Sequence, residues 1–294
     1  DRTYLSNLAK TAPVICRFFL ICNLFLSCGK LLSGKALRTS LSLSYIHKKE
    51  RALMTNLIAT SFTAVDLDAL AGFEGRVAVV VASDGKLDAG ARRINRLSKG
   101  ALARLVEAGK LEDANAGKVI TLNFPAGMAA EAVDVLVLDS RPSALDARKA
   151  GAAFGKILTA GNALLIAGSN TKIAQIVLGA AMRAYEFNPH KTASDDKSRS
   201  LSVMCAKPEE VEADAKPLLA IAEGAHMPRD LVKGRANVFT TTEFADRLKE
   251  MESLGLNVEV LEEAELEKLG MGTLLCVGQG SDSPSKVVVM QWNG

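Results

Sequence analysis

From Met54 onward, short apolar runs rich in β-branched residues alternate with longer stretches whose apolar residues recur every three to four positions. That alternation leaves little freedom of fold. Strand–helix–strand order places consecutive strands side by side and parallel, with helices packed over the sheet. Residues 76–83 (RVAVVVAS) are a continuous Val/Ala run, the pattern of a strand covered on both faces. Asp88 caps a predicted helix reaching about Glu107, with Ile94, Leu97, Leu102 and Leu105 on its inner side. Residues 118–124 alternate like a strand and stop at Pro125, and residues 133–139 (VDVLVLD) predict another. Ser143 caps a helix through Leu158 whose inner face holds Leu145, Phe154, Ile157 and Leu158. Gly161-Asn162 ends that helix, and 163–167 form a short strand. The next helix opens at Asn170 or Thr171, turns Ile173, Ile176, Val177, Ala180 and Ala184 inward, and breaks at Asn188-Pro189. A polar loop runs from Thr192 to Arg199. A strand over 201–205 and a helix over 209–224 follow, and Pro217 predicts a kink in that helix or two pieces.

The predicted class is α/β, a mixed and mainly parallel sheet with flanking helices. Helix, strand, helix and strand over 243–254, 257–261, 262–269 and 286–292 then begin a further α/β unit. The boundary is placed near Pro228, where a Gly/Pro-flanked polar stretch joins the halves, which divides the chain into 1–53, 54–228 and 229–294.

Residues 1–53 differ in kind. They carry nine Lys/Arg and two acids, whereas the remainder carries 27 bases and 31 acids. The overall charge of +3 therefore belongs to the leader, and the mildly acidic body offers nucleic acid nothing through bulk charge. The apolar run 18–28, between Arg17 and Lys30, is shorter than the roughly 20 residues a membrane span needs. A signal peptide has such a run after positive charge, but Ser33-Gly34-Lys35-Ala36 is a poor cleavage site. A transit peptide is basic, Ser-rich and acid-poor, which fits in part. A segment foreign to the natural protein, or disordered, fits better. The chain begins with Asp1, and the codons for Lys48-Lys49-Glu50-Arg51 are purine-rich where a ribosome-binding site would precede Met54.

Few residues in the body suggest chemistry. Gly278-Gln279-Gly280-Ser281 is followed by Ser283-Pro284 and a strand, whereas a dinucleotide fingerprint needs a third glycine and a helix. His190 and His226 have no His or Cys at metal-ligand spacing, so a surface histidine is the expectation for His190. Cys205 and Cys276 lie in apolar, strand-like stretches and read as buried, inert thiols in a reducing, cytoplasmic compartment. Glu259, Glu262, Glu263, Glu265 and Glu267 read as a solvated helix face, with Leu266 and Leu269 turned to the core. Arg92, Arg93, Arg96, Lys99 and Arg104 are the dense basic cluster, again expected on a solvated face. On the residues alone, no catalytic, cofactor-binding or metal-binding residue is assigned.

Longer patterns say more. Ala236-Asn237-Val238 is followed by Thr240 and Phe244, then by Leu269-Gly270-Met271-Gly272-Thr273-Leu274-Leu275-Cys276-Val277-Gly278-Gln279-Gly280-Ser281, then by Val288-Val289-Met290-Gln291-Trp292-Asn293-Gly294. This order closely resembles the opening of the catalytic domain in the leucyl (cytosol) aminopeptidase family. Tyr185-Glu186-Phe187 with Lys191-Thr192 resembles that family's N-terminal domain near its end. Gly270 and Gly272 suit a helix C-cap and a tight turn, and Gly278 and Gly280 a close backbone approach beside a strand. In the family these glycines are framework positions. Val232-Lys233-Gly234-Arg235 stands where the family usually has an Asn-Glu-Pro-like stretch.

The resemblance implies a macro-domain-like N-terminal domain and a metal-dependent exopeptidase that releases N-terminal residues from peptides. Two divalent ions, manganese or zinc, would activate a water and polarise the scissile carbonyl. Their ligands belong to Gly-Lys-Gly and Asn-Thr-Asp type motifs, neither of which occurs in residues 1–294. The first is expected shortly after Trp292-Asn293-Gly294. The family's homo-hexamer is not expected of this chain, and no membrane association is expected. A non-catalytic nucleotide- or DNA-binding module is the alternative, and its discriminating feature would be the Arg92 cluster. A third reading is a mis-bounded gene product whose exposed apolar surface favours aggregation.

Overall fold

Strands β1 (Ala59–Ala64), β2 (Arg76–Val81), β3 (Val119–Asn123), β4 (Ala132–Val137), β5 (Gly161–Gly168) and β6 (Arg199–Cys205) form one sheet in the order β1-β6-β5-β2-β4-β3. All neighbours are parallel except β3 and β4. The computed structural model describes residues 55, 57–111, 117–139, 141–168, 170–187 and 198–294. The leader 1–53, His190 and most of the polar loop after it lie outside the described residues.

The continuous apolar runs sit in the middle of the sheet. β4 is buried at every position and β5 from Ala163 to Ala167. Alternate residues feed two cores. On one face Leu136, Leu165, Leu201 and Val203 meet helices α3 (Ala144–Ile157), α4 (Ile173–Arg183) and α5 (Pro208–Lys233). On the other, Val77, Val79, Val135 and Ile166 meet α1 (Ala89–Leu97) and α2 (Ala101–Glu107). The result is a sheet covered on both sides. α3 and α4 cross very closely, because a Cβ at Gly151 would strike the carbonyl of Ile176 and one at Gly179 that of Arg148.

Several local expectations are corrected. The helix predicted over 88–107 is two helices, broken at Lys99 (φ 52°) and Gly100 (φ 79°), both left-handed. Leu145 is exposed, and the inner face of α3 is made by Ala147, Ala150, Gly151 and Phe154. Where α4 passes, at Gly151 and Gly155, the close approach leaves no room for a side chain. α4 begins at Ile173, preceded by an Asx turn in which Asn170 Oδ1 accepts from the Lys172 backbone N–H (2.8 Å). Pro217 does not divide its helix, and the stretch around Pro228 is helical rather than a linker. The inner face of α5 is set by Ala215, Ala222, His226 and Asp230, whose burial holds the helix across both prolines. β1 (ATSFTA) has neither a continuous apolar run nor a strict polar–apolar alternation to announce it; it is a half-exposed edge strand parallel to β6.

The described residues divide into two compact units between Asp230 and Leu231. In the second, α6 (Thr241–Lys249) is capped by Thr240 and packs on a two-stranded antiparallel ribbon. The ribbon pairs β7 (Asn257–Leu261) with β8 (Val287–Gln291), with Asn257 opposite Gln291. Between them lie α7 (Glu263–Lys268) and α8 (Gly272–Gly278). Glu262 and Glu265 form a capping box at the start of α7, and Gly270 (φ 71°) follows its end as expected. Leu266 is buried but Leu269 is exposed, because α7 ends before a further turn can bring Leu269 inward. Cys276 lies on α8, not in a strand, and is exposed. Gly280 has open space where its Cβ would be, so no close approach explains it.

Candidate functional site

A buried carboxylate ties the chain together where Thr55, the end of α4 and the inner face of α5 meet. Asp230 is only 4% exposed yet accepts three hydrogen bonds. They come from the Tyr185 hydroxyl, the Thr55 hydroxyl and the Thr55 backbone N–H, each at 2.7 Å. The Arg229 guanidinium lies 3.7 Å above the Tyr185 ring centroid and donates to the Met182 carbonyl at 3.1 Å. His226, one turn earlier on α5, meets the Tyr185 ring edge-on at 4.9 Å. It is buried, and neither ring nitrogen has a hydrogen-bond partner.

Burial, followed by the bond to Asp230, pushes the Tyr185 phenol up to about 12. Burial, then the Arg229 charge, holds His226 below its ordinary value. The site therefore holds a phenol that keeps its proton at neutral pH and a neutral imidazole without a proton relay. Among the described residues it lacks an exposed nucleophile or base. Its chemistry is that of a tie between three chain segments.

The other residues singled out from the sequence do not converge. Cys205 is buried at the end of β6, and burial pushes its thiol up, as an inert thiol requires. Glu259, Glu262, Glu263, Glu265 and Glu267 are exposed. Two of these acids hold the segment before β8: Glu263 accepts from the Ser285 N–H (2.8 Å), and Glu262 pairs with Lys286 (2.5 Å). Arg93 donates to the Leu67 carbonyl and to Asp68 (both 3.2 Å), and Arg104 to the Lys99 carbonyl (2.8 Å), so two members of the basic cluster are already engaged. Arg92, Arg96 and Lys99 are exposed. Among the described residues no group of three or more His, Cys, Asp or Glu can hold a metal ion, so these residues do not fit a two-metal centre. No described helix is long and apolar enough to cross a membrane.

Sequence reasoning missed a second buried charge. Asp134, fully buried on β4, takes both the Nε and a terminal nitrogen of Arg76 (2.9 and 2.8 Å) and the Thr121 hydroxyl (2.6 Å). The signal was present as a lone acid inside the apolar run VDVLVLD and a basic residue opening the strand RVAVVV.

Two descriptions of known protein families match this chain. The model described as "Cytosol aminopeptidase family, N-terminal domain" matches residues 78–194, and that described as "Cytosol aminopeptidase family, catalytic domain" matches residues 226–294. The chain belongs to the cytosol aminopeptidase family. A relative named "Probable cytosol aminopeptidase" in Dinoroseobacter shibae is 50% identical over 241 residues, covering 82% of this chain and 49% of the relative. One of the same name in Cereibacter sphaeroides is 45% identical over the same shares. The chain thus spans about half the length of the curated cytosol aminopeptidases it matches. A tomato leucine aminopeptidase mutant superposes with a TM-score of 0.63 at 17% identity, over 80% of this chain and 51% of that one, which shows the shared fold. The bottromycin maturation enzyme BotP, in complex with Mn, superposes with a TM-score of 0.54 at 25% identity, over 74% of this chain and 45% of that one.

Proposed function

We propose that the chain is the N-terminal domain and the opening of the catalytic domain of a metal-dependent leucyl aminopeptidase that acts on peptides in the cytoplasm. The observation that carries this is the consecutive match of the family's N-terminal and catalytic models at 78–194 and 226–294. Residues 54–228 would form the first domain and 229–294 the beginning of the second. The manganese in BotP supports a divalent metal for the complete enzyme, and zinc is the other candidate. The residues that would hold it are not among those described here, so no catalytic step is assigned to this chain. The family's hexamer is not carried over to it. None of the matches favours a nucleotide- or DNA-binding module, and the macro-domain likeness gains nothing from them.

The test compares two proteins for release of leucine from leucine amide with added manganese or zinc. One is this chain; the other is this chain joined in frame to the remaining part of the 50%-identical relative. No release by the first and metal-dependent release by the second is the expected result. Release by the isolated chain overturns the absence of an active site. A folded but inactive joined protein overturns the aminopeptidase reading.

A further inference from the structure

Asp134 and Asp230, both buried, are answered differently. Asp134 meets the Arg76 guanidinium at 2.9 and 2.8 Å. Asp230 takes its three hydrogen bonds from the Tyr185 hydroxyl, the Thr55 hydroxyl and the Thr55 backbone nitrogen. With Thr55 inside a longer chain, all three donors are neutral. Among the described residues no Lys, Arg or His forms an ion pair with Asp230. Arg229, beside it in sequence, is turned to the Tyr185 ring and the Met182 carbonyl. A buried carboxylate that lacks a cation is costly. Thr55 is placed to supply one. Its nitrogen lies 2.7 Å from Oδ2 and its hydroxyl 2.7 Å from Oδ1, so one residue grips both carboxylate oxygens. That N···O length falls in the range of charged N–H···O bonds. A backbone nitrogen carries a charge only at an amino terminus. Thr55 directly follows Met54, where the basic leader gives way to the mildly acidic body. Just beyond it, Leu57 and Ile58 pack into the core and the chain enters β1.

We propose that translation starts at Met54, that Met54 is then removed, and that the free α-ammonium of Thr55 is the counter-charge of Asp230. The removal is a hydrolysis. Water adds across the Met54–Thr55 peptide bond, the new carboxyl leaves with free methionine, and the amine stays on Thr55. A formyl group on the initiator is first hydrolysed to formate. Methionine aminopeptidases accept an initiator methionine when the next residue is small, and threonine qualifies. The mature polypeptide then begins at Thr55. Its ammonium meets the buried carboxylate with a charge, where an amide offers only a dipole, and so fastens the start of the sheet's edge strand to α5. The groups around the pair leave this role to Thr55. The Tyr185 phenol is pushed up to about 12 and keeps its proton, and His226 is held below its ordinary value and is neutral. The Glu186 carboxylate pairs with Arg199 (3.8 Å). The proposal concerns how the chain is matured, and it is independent of the aminopeptidase reading.

The test begins with the protein purified from cells that carry its own gene with the natural upstream sequence. Mass spectrometry reads the amino terminus. An unblocked Thr55 is expected. A retained Met54, or an amino terminus anywhere in residues 1–53, overturns the proposal. The charge is read next by nuclear magnetic resonance. The Thr55 α-amine is titrated in the folded protein and in the same protein unfolded in urea, where an α-amine has its ordinary value of about 8. The folded value is expected to lie about one pH unit or more higher, and an equal or lower value overturns the pairing. Enzymatic acetylation of the α-amine keeps an N–H and removes the charge. A shift of one unit corresponds to about a tenfold change in the folded-to-unfolded ratio, so acetylation is expected to lower that ratio about tenfold at pH 7. In Asp230→Asn the same acetylation is expected to change it less than about twofold. Equal effects in the two proteins would mean that the amine does not act through Asp230, and the proposal falls. The titration needs no substitution, so it decides the pairing even where Asp230→Asn does not fold.

Discussion

Asp134 shows how much one residue can carry. Its carboxylate is fully buried and its charge is met by Arg76 in a two-pronged pair. Removing one partner leaves a buried charge exposed to nothing that answers it. Arg76→Met is expected to lower unfolding stability by about 3–5 kcal/mol, and Arg76→Met with Asp134→Leu to recover much of the loss, as measured by urea unfolding. His226 makes the opposite case. Its folded-state value lies below the ordinary 6.5, so the unfolded chain takes up a proton before the folded chain does. The stability this contributes is complete above the ordinary 6.5 of the unfolded chain and is lost as pH falls from there through the lower folded-state value. Because the two ring nitrogens are unpaired, His226→Leu is expected to be neutral or stabilising by about 1 kcal/mol at neutral pH and to flatten the fall between pH 7 and 5 in the same titration. Asp230 was beyond sequence reasoning for a plain reason. Its partners Tyr185 and Thr55 lie 45 and 175 positions away, and nothing local announces that they meet.

Elements were readable where their signal is local. Ser143 caps α3 with its side chain accepting from the Asp146 N–H, and β7 occupies the predicted span. The buried runs at β2, β4 and β5 are likewise set by their own composition. What failed was set by neighbours. Leu145 suits an inner face by type, but α3 turns Ala147, Ala150, Gly151, Phe154 and Gly155 inward, with glycines at the points where α4 passes. Cys276 sits in an apolar run that is short enough for either a strand or a helix, and it is helical. The α3–α4 crossing gives the sharpest test at this scale. Gly151→Ala is expected to cost at least about 1–3 kcal/mol through forced separation of the helices, whereas Gly224→Ala, on α5 with open space around it, is expected to stabilise by up to about 1 kcal/mol. Thermal unfolding of the two variants reads both signs.

The two units differ in how much they bury. Within Leu231–Gly294 the buried apolar residues are Ala245, Val258 and Leu266, whereas the first unit has two large clusters. Limited proteolysis of the isolated chain is therefore expected to cut beyond α5 first and to leave the six-stranded sheet intact, with mass spectrometry locating the sites. Early cleavage inside β2, β4 or β5 would contradict this. The sheet itself carries a timing consequence. β1 pairs with β6, and each pair, such as Ser61 with Ser202, is separated by 141 residues. A ribosome adding roughly 5–20 residues per second needs about 7–30 s to make that interval. For that time β1 waits without β6, and the edge it forms is the last part of the sheet to close.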